Sequence, residues 1–241
     1  MDYRKAFYSK YVSTHTSHRY GDSASTPGDG NYPLWRRSYR RFLPSRRDAA
    51  LLDCGCGDGS FLAWLRAEGF TGLTGIDLSG EQVEKARALG VAEVFEDDVF
   101  QFLQGTERTF DVIFARDLIE HLTKEEALRF LSLAHLALVP GGGLVVQTVN
   151  GESPLFGRLA YGDFTHQTIF TRASLRQAMR IAGFEGSIDG FAQEPAVHGL
   201  RSAARFVLWR AIDAMVRVYL LADTGRADGV FSQNVIVVAR R

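Results

Sequence analysis

The chain has 241 residues, enough for one large domain or one domain with appendages. Lysine plus arginine equals aspartate plus glutamate at 28 each, so the net charge is zero, which argues against a protein that coats a phosphate backbone. Hydrophobic residues at 46% and charged residues at 23% argue against disorder, and Cys54 and Cys56 are too few for a disulfide framework or a zinc knuckle.

The opening MDYRKAFYSKY has no apolar run, so no secretory leader is expected. No stretch approaches the roughly 18 uncharged apolar residues of a spanning helix. We therefore expect a cytoplasmic protein. Residues 3–12 suit a short helix, and residues 13–30, rich in Ser, Thr, His, Asp and Gly, suit a loop. A second helix over 32–43 carries Arg36, Arg37, Arg40 and Arg41, followed by Arg46 and Arg47. These arginines form either a solvated helix face or an anion-facing patch.

From Ala49 short apolar runs alternate with helical segments. Strands are expected over 49–53, 73–77, 92–95, 110–115, 144–149, 184–189 and 230–239. Helices are expected over 60–68, 79–89, 123–138, 171–182 and 201–221. Ser79 with Gln82 and Thr123 with Glu126 have the spacing of capping boxes, Thr171 and Ser174 offer a third helix start, and Pro140 with Gly141–Gly143 ends a helix. This alternation predicts an α/β fold: a doubly wound, mainly parallel seven-stranded sheet with helices on both faces and a final antiparallel strand. The domain is expected over 49–241, with 1–48 as an N-terminal cap and 150–170 and 200–225 as substrate-side insertions.

After the first strand comes Asp53-Cys54-Gly55-Cys56-Gly57-Asp58-Gly59. Alternate glycines clear side chains from a turn that a ligand must approach closely. The spacing is G-x-G-x-G, whereas a dinucleotide fingerprint needs G-x-G-x-x-G. Asp53 would repel a pyrophosphate and attract an ammonium or sulfonium, which favours S-adenosylmethionine over a nicotinamide dinucleotide. Asp77, at the end of the second strand, suits the two hydroxyls of a ribose. Asp98 and the Val99 N–H suit an adenine.

The ordered set LLDCGCGDGSFL, GIDLS, EDDV, FDVIFARDLIEHL and LVPGGGLVVQTVN resembles the class I S-adenosylmethionine-dependent methyltransferases over roughly residues 49–150. The resemblance implies that Asp53, Gly55, Cys56, Gly57 and Gly59 line the methionine part of the cofactor. Asp77 and Leu78 would hold the ribose, Asp98 and Val99 the adenine, and Ala115 and Arg116 the far side. An N-terminal segment carrying Tyr11 and His15 would close over the cofactor as a lid, with S-adenosylhomocysteine as the product.

For the acceptor, a histidine suits removal of a hydroxyl proton. His166 lies in a D-x-T-H segment that resembles a methyltransferase subgroup of glycan and natural-product biosynthesis, with Asp163 placed to orient it. His121, in Glu120-His121-Leu122, is the second candidate. The bland alternatives are a loop-pinning His166 and a His121 that serves the next helix. No metal set is visible, since Asp97, Asp98, Asp117 and Glu120 lack a fixing spacing. The expected reaction is O-methylation of a sugar hydroxyl in a glycan, glycolipid or glycosylated metabolite. Alternatives are O-methylation of a quinone precursor or another aromatic metabolite, or cofactor binding without transfer. The acceptor is expected to be a small molecule, a glycan or a lipid-linked saccharide, not nucleic acid. Residues 203–221 form either a helix packing on the sheet, a dimer contact, a lid over a lipid-linked acceptor, or a helix lying at a membrane surface.

Overall fold

A computed structural model describes residues 29–90 and 93–241. Seven strands form one sheet: β1 (Ala50–Cys54), β2 (Gly72–Asp77), β3 (Val94–Glu96), β4 (Phe110–Arg116), β5 (Leu138–Val149), β6 (Ile188–Ala192) and β7 (Asn234–Arg240). The spatial order is β3-β2-β1-β4-β5-β7-β6, and β7 alone runs antiparallel to both its neighbours. Chain order reverses between β1 and β4, so a crevice opens beyond the carboxyl ends of those two strands.

Helices cover both faces because the central strands bury both sides. Leu51, Val112, Phe114 and Ile236 face one core, built with α1 (Tyr32–Tyr39), α2 (Ser60–Ala67) and α3 (Gly80–Ala88). Leu52, Cys54, Ile113 and Val237 face the other, built with α4 (Val99–Gly105), α5 (Lys124–Ala137) and α7 (Arg172–Ile181). A short α6 (Phe156–Ala160) precedes the D-x-T-H segment, and the long α8 (Leu200–Thr224) joins β6 to β7.

The predicted topology holds, with local corrections. The second helix becomes 3-10 at Arg40–Phe42. Capping boxes close at Thr123–Glu126 and Thr171–Ser174, but Ser79 makes no side-chain cap; its N–H donates to Asp77 Oδ1 instead. The sequence reading missed α4, which starts where the Asp98 carboxylate accepts from the Phe100 and Gln101 N–H groups, and it missed α6. Strand β5 begins at Leu138, since Pro140 and Gly141–Gly143 form a bulge against β4 and do not end the pairing. Strands β6 and β7 start about four residues later than expected, because β-propensity alone does not fix register.

Residues 1–28, with the expected first helix and the lid residues Tyr11 and His15, lie outside the described residues. The described part of the cap is core: Trp35, Tyr39 and Phe42 are buried against α2 and the sheet. Helix α8 packs less than expected. Only Ser202 is buried, while Val207, Leu208, Met215, Val218 and Tyr219 are exposed. Among the described residues no helix is long and apolar enough to cross a membrane.

Candidate active site

The turn after β1 is built by backbone. Gly55, Gly57 and Gly59 all have positive φ, at 71°, 55° and 75°. The N–H groups of Gly55 and Cys56 both donate to the Ile76 carbonyl, tying the turn to the end of β2. Asp77 completes the tie: its Oδ2 accepts from the Gly57 N–H at 2.8 Å and its Oδ1 from the Ser79 N–H at 2.9 Å. A carboxylate has about four acceptor positions, so capacity remains for a pair of hydroxyls. Burial, above all, raises the Asp77 carboxyl above the usual range.

Asp53 and Arg116 face the α1–α2 core side. Asp53 Oδ1 is buried with no hydrogen-bond partner among the described residues, and so are Arg116 Nε and Nη1. Burial pushes the Asp53 carboxyl up to about 7; Arg116 lowers it and Asp77 raises it further. The Arg116 guanidinium lies over Phe61, 4.0 Å from the ring centroid, with the Trp35 ring centroid at 5.2 Å. Buried polar atoms without partners are costly. An orphaned carboxylate oxygen beside an orphaned guanidinium fits a ligand bearing both an ammonium and a carboxylate, such as an amino-acid head group. Ala115, its neighbour on β4, points instead into the opposite core.

Beyond Arg116, Asp117 takes a left-handed backbone with φ 52°, a conformation that non-glycine residues adopt rarely and mostly near functional sites. Gln147 holds it: its Nε2 donates to Asp117 Oδ1 at 2.9 Å, and its Oε1 accepts from the Tyr39 hydroxyl and from Gln193 Nε2. Sequence reading missed Gln147 and Tyr39; the signal was a single amide inside the apolar run of β5.

The E-H-L and D-x-T-H motifs form one unit. The Glu120 carbonyl accepts from the N–H groups of Gln167 and Thr168, and the Leu122 carbonyl from the Thr168 hydroxyl. Thr165 donates its hydroxyl to Asp163 Oδ1 at 2.6 Å and meets His121 Nδ1 at 2.8 Å. His166 Nδ1 lies 3.0 Å from the Ala160 carbonyl, and the two imidazoles stand edge to face with centroids 4.8 Å apart. Asp163 therefore reaches His121 through Thr165, and Ala160, not Asp163, holds His166. Thr165 belongs to the D-x-T-H segment, but nothing in its spacing marks it as the link to His121. The buried Glu120 carboxyl accepts from the Thr148 hydroxyl, and burial raises it well above its ordinary range.

Other candidates sit at the rim. Leu78 is half-exposed just past Asp77, and Val99 opens α4. Asp98 spends one oxygen on capping α4. Both cysteines are buried free thiols, and burial raises the Cys54 thiol far above its usual range. The arginine patch is largely spent within the molecule. Arg36 pairs with Glu68, Arg37 with Glu194 and Arg46 with Asp111, while Arg41 and Arg47 lie over Phe191 and Phe70.

A family model described as a methyltransferase domain matches residues 30–186. The chain belongs to that methyltransferase family. Among solved structures this methyltransferase domain resembles a SAM-dependent methyltransferase from Archaeoglobus fulgidus, with a TM-score of 0.65 at 20% identity, covering 87% of this chain and 92% of the other. Among curated proteins it is 29% identical over 114 residues to a malonyl-[acyl-carrier protein] O-methyltransferase of Erwinia billingiae, 46% of this chain and 43% of that protein. It is 30% identical over 128 residues to the 27-O-demethylrifamycin SV methyltransferase of Amycolatopsis mediterranei, 51% of this chain and 41% of that protein. The methyltransferase domain thus spans about two fifths of the length of these two relatives. The Asp53–Arg116 pair and the glycine turn fit a methyl donor with an amino-acid head group, such as S-adenosylmethionine.

Proposed function

We propose that the protein is an S-adenosylmethionine-dependent O-methyltransferase acting on a hydroxyl of a small or carrier-bound metabolite. The observation that carries this reading is the pairing of an amino-acid-shaped pair of orphans, Asp53 and Arg116, with a histidine cluster further along the same sheet edge. When bound, S-adenosylmethionine supplies a methyl activated by its positive sulfur, and S-adenosylhomocysteine is left.

The chain's own residues do the rest. The Gly55, Cys56, Gly57 and Gly59 backbone lets the donor approach, Asp53 takes its ammonium and Arg116 its carboxylate. Asp77 takes the ribose hydroxyls. Leu78, Asp98 and Val99 flank the base. Tyr11 and His15 of the expected lid would exclude water from above. At the acceptor, His166 removes the hydroxyl proton as the new O–C bond forms, and His121 with Asp163 orients and shares that charge. His166→Ala should lower turnover about 10²–10⁴-fold while leaving donor affinity unchanged. Near-normal turnover would return His166 to a loop-pinning role.

For the acceptor we keep a sugar hydroxyl first, on the strength of the D-x-T-H segment alone, because most arginines of the candidate anion-facing patch are engaged within the chain. A hydroxyl on a quinone precursor or other aromatic metabolite is the second reading. Exposed Leu155, Tyr161 and Phe164 around the D-x-T-H segment favour it, since they offer an apolar bed. Methyl-labelled donor with a panel of glycosides and phenols separates the two: faster labelling of every phenol would overturn the sugar reading, and donor binding without transfer to any acceptor would leave a binding protein. The exposed apolar side of α8 supports peripheral contact with a membrane or a lipid-linked acceptor, and co-sedimentation with lipid vesicles checks it.

A further inference from the structure

The histidine cluster carries a second chemistry. One ring nitrogen each of His121 and His166 and one oxygen of Asp163 lie within 4.8 Å of one another. Proton positions follow from the partners. The Thr165 hydroxyl has one hydrogen and gives it to Asp163 Oδ1. Toward His121 Nδ1, at 2.8 Å, that hydroxyl can only accept, so Nδ1 carries a hydrogen. The Ala160 carbonyl can only accept, so His166 Nδ1 carries one too. With Nδ1 carrying the hydrogen, each ring would ligate through Nε2. Imidazoles fixed in one tautomer by an outer hydroxyl or carbonyl, beside one carboxylate, are what metal ligands look like with their outer partners in place.

We propose that His121, Asp163 and His166 bind one divalent first-row transition ion, of the zinc or cobalt type that imidazole favours over magnesium. Three ligands leave open positions, as at catalytic zinc sites. This rests on placing the cluster on the acceptor side. It changes how the acceptor ionises: the hydroxyl oxygen binds the ion, its proton passes to solvent, the O–C bond forms, and the C–S electron pair stays on sulfur. The metal-free protein is left with His166 as its proton acceptor. The set escaped sequence reading because His121 lies on the β4 side and the other two ligands lie past β5, brought together only by the Glu120 clamp.

The test is direct metal binding by the full chain without a histidine tag, stripped with a chelator and titrated with zinc by calorimetry and with cobalt by visible absorption. The expected result is one equivalent bound, with cobalt bands of nitrogen ligation. His121→Ala and His166→Ala should each weaken binding more than 100-fold, Asp163→Asn should weaken it as well, and Thr165→Val should do so about 10–100-fold through the outer partner. Affinity for S-adenosylmethionine, measured on each variant, reports that the fold is intact. No stoichiometric binding by the wild type, or binding that survives both histidine variants, overturns the proposal and leaves the methyltransferase reading standing. Absent donor binding would overturn that reading instead and leave the metal result untouched.

Discussion

Asp53 is a carboxyl kept in the wrong medium. With its titration pushed up to about 7, it holds a proton in the apo fold where an unfolded chain has lost it, between roughly pH 4 and 7. The folded state then binds the extra proton, so Asp53 contributes stability at low pH that fades as pH rises through that window. Asp53→Asn should therefore melt higher than wild type at pH 8, in the absence of ligand. Donor binding should show the opposite preference: it needs the ionised form, so affinity should fall as pH drops below about 7 in wild type and stay flat in Asp53→Asn. A pH-independent wild-type affinity by calorimetry would remove Asp53 from the ammonium. Asp77 ties the turn and, in the proposed site, also meets the ribose. Asp77→Ala should weaken donor binding by about 10–150-fold for each charge-assisted bond lost, at about 1.5–3 kcal/mol per bond.

At the scale of elements, the glycines of the turn are not equivalent. A Cβ on Gly59 would lie 2.6 Å from Ala86 Cβ and 2.9 Å from its Cα, so here α2 and α3 pack through the absent side chain. A Cβ on Gly57 would meet nothing within 4 Å. Gly59→Ala should thus cost overpacking of about 1–3 kcal/mol in addition to the left-handed penalty, and Gly57→Ala only the penalty, about 1–2 kcal/mol. Urea unfolding of the two variants measures the gap. The elements most legible in sequence were those whose cause is local: the glycine turn, the Thr123 cap and the apolar runs of β1 and β4. Helix α4 was illegible because its cap, Asp98, reads equally well as a ligand to adenine. The start of β5 was illegible because proline and glycine mark a bulge as readily as a break. The E-H-L and D-x-T-H segments were each legible, but their meeting depends on the Glu120 clamp between distant loops, and no local pattern announces that contact.

For the whole molecule, two core faces and a candidate site along one sheet edge mean that the proposed donor site draws on α2 and strands β1, β2 and β4 together. Ligand that binds only the folded state should raise stability by about 2.7 kcal/mol at one hundred times Kd. For a chain of this size that corresponds to roughly 5–10 °C in Tm, at about 2–4 °C per kcal/mol. Thermal melting with and without S-adenosylmethionine reads this directly; an unchanged Tm at saturating concentration would count against the assigned site. Helix α8 contributes little to either core, so substitutions of its exposed Val207, Leu208 and Met215 should leave that Tm shift in place.

The sheet order also sets a timetable for the ribosome. Strand β6 leaves the synthetic tunnel before β7, yet its partner is β7, and only β7 joins it to β5. About 40 residues separate Ala192 from Asn234, so at about 5–20 residues per second β6 waits some 2–8 s for its neighbour. During that interval β5 presents a bare edge and the α7 side of the core stays half-built, which makes the nascent chain a natural client for chaperones that shield unpaired strands.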